Sequence, residues 1–442
     1  MNVWEDLRKK ILDKSCRIGV FGLGYVGLPM AALFAETGFS VLGVDINPDV
    51  VEAVNTGRSP VAEQGLQKLI AKVVAEEHLS ATTDTAEVLA RSDVIFVIVQ
   101  TPIDEDKKPD LGALRKACAT IAKCPAGKLI VIESTLPPGA TKDVIVPALE
   151  SGGYNVGEDF YLAYSPERAM PTRLLQEIQE NPRIIGGINQ ESSQLAELLY
   201  GDITSGELVT SDIATVEMVK IIENTYRDVN IALANEIALL CEKLGVDAVE
   251  AIEIANKHPR VHLLSPGPGV GGHCIPKDPY FALDSARKHG LELKVISSAR
   301  RVNEDMPKHM LRMIEKALGS AGKKLENSKI AILGVTYKGN TNDIRGSPSK
   351  DIIKALLPLS EVFSHDPLAS QDFGGKFSNN MDDAVKDADC VVVVADHAEY
   401  MNLDLDKLSK LVKKPGVIVD GRRILDPGYA REKGFTYFGV GY

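Results

Sequence analysis

The sequence predicts an α/β protein with two doubly wound sheets and a long helical segment between them. Three observations support this prediction. Apolar runs of strand length alternate with helix-like runs over the first 200 residues, a helical pattern without strand signals covers residues 211–245, and the alternation restarts at residue 329. We therefore expect three domains, at residues 1–205, 206–310 and 311–442.

The first segment contains short apolar runs bounded by turn residues, as expected of buried strands. These runs cover residues 17–21, 40–44, 94–99, 129–133, 161–164 and 183–186. Because helix-like runs separate them, we expect parallel strands with helices on both faces of the sheet.

The middle segment reads as one long helix that is capped near Ser211 and Asp212 and stopped by Gly245, with more helix through Asn256. Its length and its position between two α/β segments suit a linker and the core of a homodimer. In the last segment we expect a helix at 348–357 and strands at 329–334, 361–364, 390–394 and 416–419.

A glycine-rich turn joins the first strand to the helix that follows it. Gly22 allows the tight turn, Gly24 admits a pyrophosphate close to the backbone, and Gly27 lets the helix pack on the strand. The second strand ends in Asp45, which can bond a ribose hydroxyl and would repel a 2′-phosphate. The pattern predicts a dinucleotide site that prefers NAD to NADP.

The second informative stretch is residues 267–279, which are too rich in Gly and Pro to form a helix or a strand. Cys274 lies in this turn beside Lys277 and Asp278. A thiol presented in this way suits nucleophilic chemistry, although an incidental surface cysteine is the alternative.

Composition and charge narrow the function classes. The chain is 44% apolar and 25% charged, and its net charge of −11 argues against nucleic acid as a partner. No stretch approaches 18 uninterrupted apolar residues and no signal peptide is recognised, so we expect no membrane span and a cytoplasmic protein. An acidic chain that binds an anionic nucleotide must gather positive groups at its site.

The six cysteines contain no CxxC pair, which fits reduced thiols and argues against zinc or another metal. Cys274 is the cysteine in a loop suited to catalysis. We expect the other five to be packing residues: Cys16, Cys118, Cys124, Cys241 and Cys390.

Together these motifs resemble the nucleotide-sugar 6-dehydrogenase family, which includes the UDP-glucose and UDP-N-acetylmannosamine enzymes. The resemblance covers residues 15–442. Further matching blocks are Gln100-Thr101-Pro102, Glu133-Ser134-Thr135, Pro137-Pro138-Gly139, Ser165-Pro166-Glu167-Arg168, Lys220 with Asn224, Tyr337-Lys338-Gly339 through Arg345, and Asp420-Gly421-Arg422. The resemblance implies a Rossmann-like NAD domain, a helical dimerisation domain that carries the Cys274 loop, and a Rossmann-like UDP-sugar domain.

The family oxidises the C6 alcohol of a UDP-hexose to a carboxylate in two NAD-dependent steps. The resemblance implies that Cys274 holds the intermediates as a thiohemiacetal and a thioester. Lys220 and Asn224, spaced i,i+4, would stabilise an oxyanion, and Asp278 would orient a water or accept a proton. Lys277 would pair with a phosphate or lower the thiol pKa.

Glu167 resembles the family glutamate that activates the hydrolytic water, and Thr135 the threonine that bonds this water. The UDP-glucose branch has a second glutamate four residues later, where this chain has Pro171, and Arg168 and Met170 also depart from that branch. UDP-glucose is therefore not the expected substrate.

Two other features resemble the UDP-N-acetylmannosamine branch, namely the segment 258–261 and His273. Arg260 would reach the substrate, with the neighbouring subunit as one option. The full implied sets are cofactor contacts by Gly22, Gly24, Tyr25, Val26, Gly27, Asp45, Thr101, Thr135 and Arg345, and substrate contacts by Glu167, Arg168, Lys220, Asn224, Arg260, Gly271, His273, Lys338 and Arg422.

Three alternatives stay open at this level. The UDP-N-acetylglucosamine enzyme belongs to the same family. A two-electron hydroxyacid dehydrogenase shares the NAD domain, but it needs neither Cys274 nor a third α/β domain. A non-enzymatic NAD-binding regulator would have no use for Cys274, Lys220, Asn224 and Glu167 together.

Overall fold

The computed structural model describes residues 2–170 and 173–442, and both expected sheets are present. The chain forms two units. The N-terminal unit comprises the described residues up to Ile222 together with Tyr280–Gly290, and the C-terminal unit comprises Glu223–Pro279 and Leu291–Tyr442. The Rossmann-like α/β fold class with a central helical region is confirmed. The three domain boundaries stay a prediction.

The strands of the N-terminal sheet lie in the order β3-β2-β1-β4-β5-β6-β7-β8. Their bounds are β1 (Arg17–Phe21), β2 (Ser40–Val44), β3 (Leu79–Thr82), β4 (Val94–Val97), β5 (Leu129–Ile132), β6 (Tyr161–Tyr164), β7 (Arg183–Gly187) and β8 (Leu208–Asp212). The predicted strands are all found, whereas β3 and β8 were not predicted. The order reverses between β1 and β4, which is where open α/β sheets bind ligands.

One expectation about this sheet was wrong. β7 pairs with β6 in the antiparallel direction, with Ala163 opposite Gly187 and Tyr164 opposite Gly186. Alternating helices and strands favour parallel pairing, but strand periodicity carries no direction, so the path of the connection decides it. The reversal brings the first residue of β7, Arg183, to the carboxyl end of β6.

Helices of the N-terminal unit cover both faces of the sheet. They are α1 (Val3–Leu12), α2 (Gly27–Glu36), α3 (Pro48–Asn55), α4 (Leu66–Ala75), α5 (Thr85–Arg91), α6 (Gly112–Ile121), α7 (Val146–Glu150), α8 (Leu174–Glu180) and α9 (Gln190–Tyr200), with a π-helical turn at Thr141–Ile145. Alternate residues of β4 enter opposite cores: Val94 and Phe96 pack on one side, and Ile95 and Val97 on the other. This alternation shows a doubly wound sheet.

The C-terminal sheet has the order β11-β10-β9-β12-β13-β14, and its strands pair in parallel. Its strands are β9 (Lys329–Leu333), β10 (Glu361–His365), β11 (Lys376–Phe377), β12 (Cys390–Val393), β13 (Gly416–Asp420) and β14 (Phe435–Gly439). β11 and β14 were not predicted. Its two faces also belong to separate cores, with Val392 in one and Val391 in the other.

The remaining helices include the long central one. They are α10 (Ile213–Leu244), α11 (Ala248–Ala255), α12 (Asp278–Lys288), α13 (Lys294–Ser320), α14 (Pro348–Leu356), α15 (Met381–Val385), α16 (Ala398–Met401), α17 (Leu405–Leu411) and α18 (Pro427–Glu432). The predicted start of α10 is confirmed, because Asp212 Oδ1 accepts from Thr215 N at 2.9 Å. The 27-residue helix α13 was not predicted.

Candidate active site

The turn after β1 has the geometry of a phosphate-binding loop. A Cβ on Gly27 would lie 1.9 Å from the carbonyl oxygen of Gly22, and one on Gly22 would lie 2.3 Å from that of Ile98. Gly22 also has a φ of +95°, in the left-handed region. Gly24 has open space beside it, with no atom within 4 Å of a built Cβ. The two close contacts and the open position fit a pyrophosphate at the start of α2.

Asp45 lies just after β2 and is bonded to the same turn. Its Oδ2 accepts from Leu23 N at 2.9 Å, and its Oδ1 accepts from Asn47 N at 2.9 Å. A carboxylate has about four lone-pair directions, so capacity for ribose hydroxyls is left. The predicted contact to ribose fits this geometry and stays a prediction.

The other predicted cofactor residues of this unit lie in the loops that follow β1, β4 and β5. Val26 immediately precedes α2, and Tyr25 donates its hydroxyl to Glu63 Oε2 at 2.8 Å. Thr101 is buried in the loop that follows β4. Thr135 is half-buried after β5, and the neighbouring Ser134 accepts from Val99 N at 2.9 Å and so ties the two loops together.

Glu167 lies beyond the carboxyl end of β6, as predicted. Its Oε1 accepts from the backbone N–H groups of Arg168 and Ala169 at 2.6 and 2.7 Å, and its Oε2 accepts from Arg183 Nη2 at 2.8 Å. Burial would raise the pKa of Glu167, but the Arg183 charge and the two N–H groups outweigh burial and lower it. An ionised carboxylate is therefore held at the end of this strand.

Arg183 was not predicted from the sequence as a site residue. Its guanidinium is buried and also contacts Glu133, with Nη1 3.2 Å from Glu133 Oε1. The available signal was a charged residue at the start of a strand that is otherwise apolar, Arg183-Ile-Ile-Gly-Gly. Arg168, a predicted substrate residue, donates from Nη1 to the Pro182 carbonyl at 2.7 Å. Pro171 lies outside the described residues.

Helix α10 carries Lys220 and Asn224 four residues apart. Both side chains are buried, so a solvated helix face is not their role. Asn224 donates from Nδ2 to Asp278 Oδ2 at 2.6 Å within the C-terminal unit.

The Cys274 loop is irregular through Lys277, as predicted, and packs on the segment after β9. The prediction was wrong for Asp278 and Pro279, which begin α12, because Pro is tolerated in the first turn of a helix. A Cβ on Gly271 would lie 2.5 Å from the Tyr337 side chain and 2.7 Å from the Gly346 carbonyl oxygen. Gly272 has a φ of +86° and donates its N–H to the Arg345 carbonyl at 3.0 Å. Only glycine fits at Gly271, and the half-buried Cys274 follows directly on this close approach.

Asp278 closes the Cys274 turn and begins α12. Its N–H donates to the Cys274 carbonyl at 2.9 Å, and the N–H of Lys277 donates to the same carbonyl at 3.1 Å. The Asp278 carboxylate is fully buried and lies between Asn224 on Oδ2 and Lys277 Nζ, 3.3 Å from Oδ1. The C-terminal unit therefore brings together the predicted residues Cys274, Asp278 and Asn224.

His273 is exposed beside the Asp343–Arg345 pair. Desolvation by surrounding atoms and the positive charge of Arg345 both lower the pKa of His273. Arg345 donates from Nη2 to Asp343 Oδ2 at 2.6 Å and from Nε to Asp343 Oδ1 at 2.9 Å. A neutral imidazole beside a cation suits hydrogen bonding to a substrate better than acid catalysis.

The other predicted substrate residues differ in exposure. Lys338 is exposed, and the next residue, Gly339, donates its N–H to Asp396 Oδ1 at 2.9 Å. Arg422 donates from Nε to the Val394 carbonyl and from Nη2 to the Tyr337 carbonyl, both at 2.9 Å. It therefore stabilises the loop after β9 that contains Lys338. Arg260 is exposed, and its backbone N–H donates to His258 Nδ1 at 3.3 Å.

Three family models match the chain in sequence order. They are the NAD binding domain, the central domain and the UDP binding domain of the UDP-glucose/GDP-mannose dehydrogenase family, at residues 16–204, 214–305 and 331–427. The chain belongs to the UDP-glucose/GDP-mannose dehydrogenase family. It is an NAD-dependent UDP-sugar dehydrogenase, an oxidoreductase. The hydroxyacid dehydrogenase and regulator alternatives are thereby set aside.

Relatives within the family are similar over nearly the whole chain. The UDP-N-acetyl-D-mannosamine dehydrogenase of Pyrococcus horikoshii is 40% identical over 96% of this chain and 99% of that protein. The solved structure of a UDP-D-ManNAc dehydrogenase from that organism has a TM-score of 0.90, at 40% identity over 96% of this chain and 99% of its own. The solved structure of the NDP-N-acetyl-D-galactosaminuronic acid dehydrogenase from Methanosarcina mazei has a TM-score of 0.86. The two chains are 35% identical over 100% of this chain and 98% of that one.

Three asparagines of the dehydrogenase support the site and were not predicted from the sequence. Asn230, Asn235 and Asn256 accept from the backbone N–H groups of Leu264, Gly267 and Leu263, at 2.8, 2.9 and 2.8 Å. These amides hold the segment that leads into the Cys274 loop. Asparagine inside long helices, where it is a poor helix former, was the signal that could have found Asn230 and Asn235.

The five cysteines other than Cys274 were expected to be packing residues. Cys16, Cys118, Cys241 and Cys390 are buried, as expected of packing residues. Cys124 is exposed in the turn after α6, so its expected packing role was wrong. The helix pattern before it ends at Ile121, and the turn directs Cys124 away from the core.

No helix within residues 2–170 or 173–442 combines the length and apolar character needed to cross a membrane. In the same residues, no group of three or more His, Cys, Asp and Glu side chains is arranged to hold a metal ion.

Proposed function

We propose that this dehydrogenase oxidises the C6 alcohol of UDP-N-acetyl-D-mannosamine to UDP-N-acetyl-D-mannosaminuronate through a thioester on Cys274. One observation carries the chemical part of the proposal. Cys274 is half-buried in a loop whose last turn is closed by the buried Asp278, and Asp278 is bonded to Asn224. The substrate part is supported by the full-length similarity to proteins named for this sugar.

NAD, when bound, accepts one hydride in each oxidation, so two NAD are reduced per sugar. In the first oxidation the C6 hydroxyl also loses a proton, which leaves an aldehyde. The Cys274 thiolate adds to C6, and the oxygen takes up a proton to give a thiohemiacetal. Loss of a second hydride and of the hydroxyl proton gives the thioester.

Water then hydrolyses the thioester. Glu167 accepts a proton from this water, the water oxygen bonds to C6, and the C6–sulfur bond breaks to release the Cys274 thiolate and the uronic acid. Its lowered pKa keeps Glu167 ionised and ready to accept that proton. Lys220 and Asn224 stabilise the oxyanion that forms at C6. In the net reaction one alcohol, two NAD⁺ and one water become one carboxylate, two NADH and three protons.

The proposal includes a homodimer built on α10. Although much of this helix is buried, large apolar side chains remain exposed along it. These are Met218, Ile222, Tyr226, Leu233, Leu240 and Leu244. Successive members of this set are separated by four or seven residues, which places them along one stripe of the helix. A two-fold axis would bring two copies of this stripe together.

A second candidate substrate is a UDP-N-acetylhexosamine of another configuration. The structure named for NDP-N-acetyl-D-galactosaminuronic acid covers the whole of this chain at 35% identity, which favours testing that sugar. UDP-N-acetyl-D-glucosamine is the alternative from the sequence. One unmade hydrogen bond costs about 1–3 kcal/mol, so discrimination between epimers is expected to be about ten- to hundredfold.

The test is NADH production from a panel containing UDP-glucose and the manno, gluco and galacto forms of UDP-N-acetylhexosamine. We expect two NADH per sugar and the highest kcat/KM for the manno form. A higher kcat/KM for another N-acetylhexosamine would overturn the epimer, and exclusive use of UDP-glucose would overturn the acetamido substrate. One NADH per sugar would overturn the four-electron reaction.

A further inference from the structure

Arg183 is one buried cation shared by two buried carboxyl groups. Its Nη2 lies 2.8 Å from Glu167 Oε2, and its Nη1 lies 3.2 Å from Glu133 Oε1. The side chains of Arg183 and Glu133 are 5% and 0% exposed, and that of Glu167 is 11% exposed. One positive charge cannot neutralise two carboxylates, so the two glutamates compete for it.

The two carboxyl groups have unlike surroundings. Glu167 Oε1 accepts two backbone N–H groups in addition to the Arg183 bond on Oε2. Glu133 Oε1 accepts from the Tyr200 hydroxyl at 2.5 Å, while Glu133 Oε2 has no hydrogen-bond partner among the described residues. The better-bonded Glu167 is therefore the carboxylate, and Glu133 holds a proton more readily.

The charged and titratable groups that face Glu133 come from three elements. They are Arg183 on β7, Glu167 after β6 and Tyr200 at the end of α9. Burial raises the pKa of Glu133 to about 7, although Arg183 opposes this rise. Glu133 therefore changes its charge near neutral pH, while the pKa of Glu167 lies below its usual value.

This arrangement matters when Glu167 takes up a proton. Three donors use three of about four lone-pair directions on its carboxylate, and the remaining direction is on Oε2, the oxygen that contacts Arg183. Protonation of Glu167 therefore removes the negative charge that pairs with Arg183. A buried guanidinium without a counter-charge is costly, so Glu167 would be a weak base if it were the only partner.

We propose that Glu133 is a positioning residue for hydrolysis, which supplies the counter-charge to Arg183 while Glu167 holds the proton of the attacking water. This inference rests on the water-activating role proposed for Glu167. In the active form both glutamates are ionised, because Glu133 has already lost its proton to solvent. One proton then passes from water to Glu167, and Arg183 stays paired with Glu133.

The first test is Glu133→Gln, which keeps an acceptor for Tyr200 and Arg183 but cannot become negative. Rapid mixing with UDP-N-acetyl-D-mannosamine and NAD separates the initial burst of NADH from the steady rate that follows. In the unmodified enzyme the steady rate should rise through neutral pH. In Glu133→Gln this rise should vanish, with a rate about tenfold lower at pH 8 and an unchanged burst, since one pKa unit of basicity is worth a factor of ten. An unchanged pH profile would overturn the proposal.

Tyr200→Phe is the second variant, and it serves if Glu133→Gln does not fold. The Tyr200 hydroxyl stabilises the charged form of Glu133, so its removal should move the inflection of the steady rate to higher pH. An inflection at the same pH, or at lower pH, would count against Glu133 as its source. Glu217→Gln is the matched control, because Glu217 is also buried and bonded but accepts from Gly139 and Thr141 rather than from an arginine. Its profile should keep the rise.

A spectroscopic measurement separates this inference from the proposed function. Infrared difference spectra between pH 6 and pH 8 should show a protonated carboxyl band that disappears as pH rises and that Glu133→Gln lacks. If Glu167→Gln leaves the steady rate unchanged, the role of Glu167 fails, whatever the infrared result. In a second outcome, Glu167→Gln slows the steady rate, but Glu133→Gln alters neither the protonated carboxyl band nor the pH profile of the steady rate. The counter-charge role of Glu133 then fails, while the role of Glu167 stands.

Discussion

Asn224 Nδ2 donates to Asp278 Oδ2 across 2.6 Å, and both side chains are buried. The bond links α10 to the residue that ends the Cys274 turn, 54 positions further along the chain. Asn224 therefore has a structural role, because its amide holds Asp278 in place, and a proposed catalytic role, the stabilisation of an oxyanion at C6.

Asn224→Ala should destabilise the fold and slow turnover. The change leaves Asp278 Oδ2 buried without its donor, which costs about 1–3 kcal/mol in the free energy of unfolding. Urea unfolding measures this loss, and NADH formation measures turnover. The control is Asn402→Ala, an exposed asparagine whose side chain donates to the Ala398 carbonyl within its own helical turn. Equal stability of the two variants would show that the Asn224–Asp278 bond contributes little.

Cys274→Ser should lower steady turnover by on the order of 10²-fold or more, because a hydroxyl is a poorer nucleophile and an oxygen ester resists hydrolysis. The measurement is the steady rate of NADH formation per enzyme, together with the intact mass of the protein. Cys124→Ser provides the matched control, since Cys124 is an exposed thiol in a turn. Undiminished turnover of Cys274→Ser would exclude the covalent route.

Asp45→Asn should narrow the preference for NAD over NADP. The variant keeps an acceptor for Leu23 N but removes the negative charge that repels a 2′-phosphate, so the ratio of kcat/KM values should fall roughly five- to tenfold, or about 1 kcal/mol. Asp49→Asn, an exposed neighbour in α3, should leave the ratio unchanged. If the unmodified enzyme already uses NADP as well as NAD, Asp45 does not set the preference.

Asp366 should stabilise the C-terminal unit in a pH-dependent way. Burial would raise the pKa of Asp366, but the bond to His397 and backbone N–H groups lower it to about 2. A lowered pKa stabilises the fold fully above the unfolded value of about 3.9, by about 2–3 kcal/mol, and this stabilisation is lost as pH falls towards 2.

The check is the difference in unfolding free energy between the unmodified protein and Asp366→Asn, measured by urea at several pH values. The difference should be greatest near pH 7 and should shrink below pH 4. Asp383→Asn, at an exposed position on α15, should show almost none. A difference that stays constant with pH would mean that lost hydrogen bonds, rather than the charge, account for it.

Leu233→Lys together with Leu240→Lys should convert a dimer into monomers, because charges on the apolar stripe of α10 oppose its burial. Sedimentation velocity at micromolar concentration measures the change. Glu432→Lys makes the same change of charge at an exposed position on α18, outside the stripe, and should leave the dimer intact. An unmodified protein that is monomeric and fully active would refute the dimer.

Much of this fold was predictable because its strands are buried on both faces. The predicted bounds of β1 and β2 agree with the structure, since parallel strands covered by helices read as near-continuous apolar runs. β8 was missed for the opposite reason. It is an exposed edge strand whose last residue, Asp212, also caps α10, so its sequence resembles the start of a helix.

The residues of the candidate site were likewise predictable only in part. Sequence alone determined the residues whose neighbours along the chain define their setting: Gly22, Gly24 and Gly27 in a turn, Asp45 at a strand end, and Cys274 in a glycine-rich loop. Local backbone conformation and the period of buried strands are short-range properties, so a short window of sequence contains them.

Only the tertiary structure decided which distant side chains meet. Arg183 reaches Glu133 and Glu167 because β7 runs antiparallel to β6, and Asn235 reaches Gly267 because α10 packs beside the segment before the Cys274 loop. The direction of a strand pair and the partner of a buried polar group depend on how the whole chain packs. A buried charge must find its partner wherever that packing brings one, and no local pattern of residues specifies where.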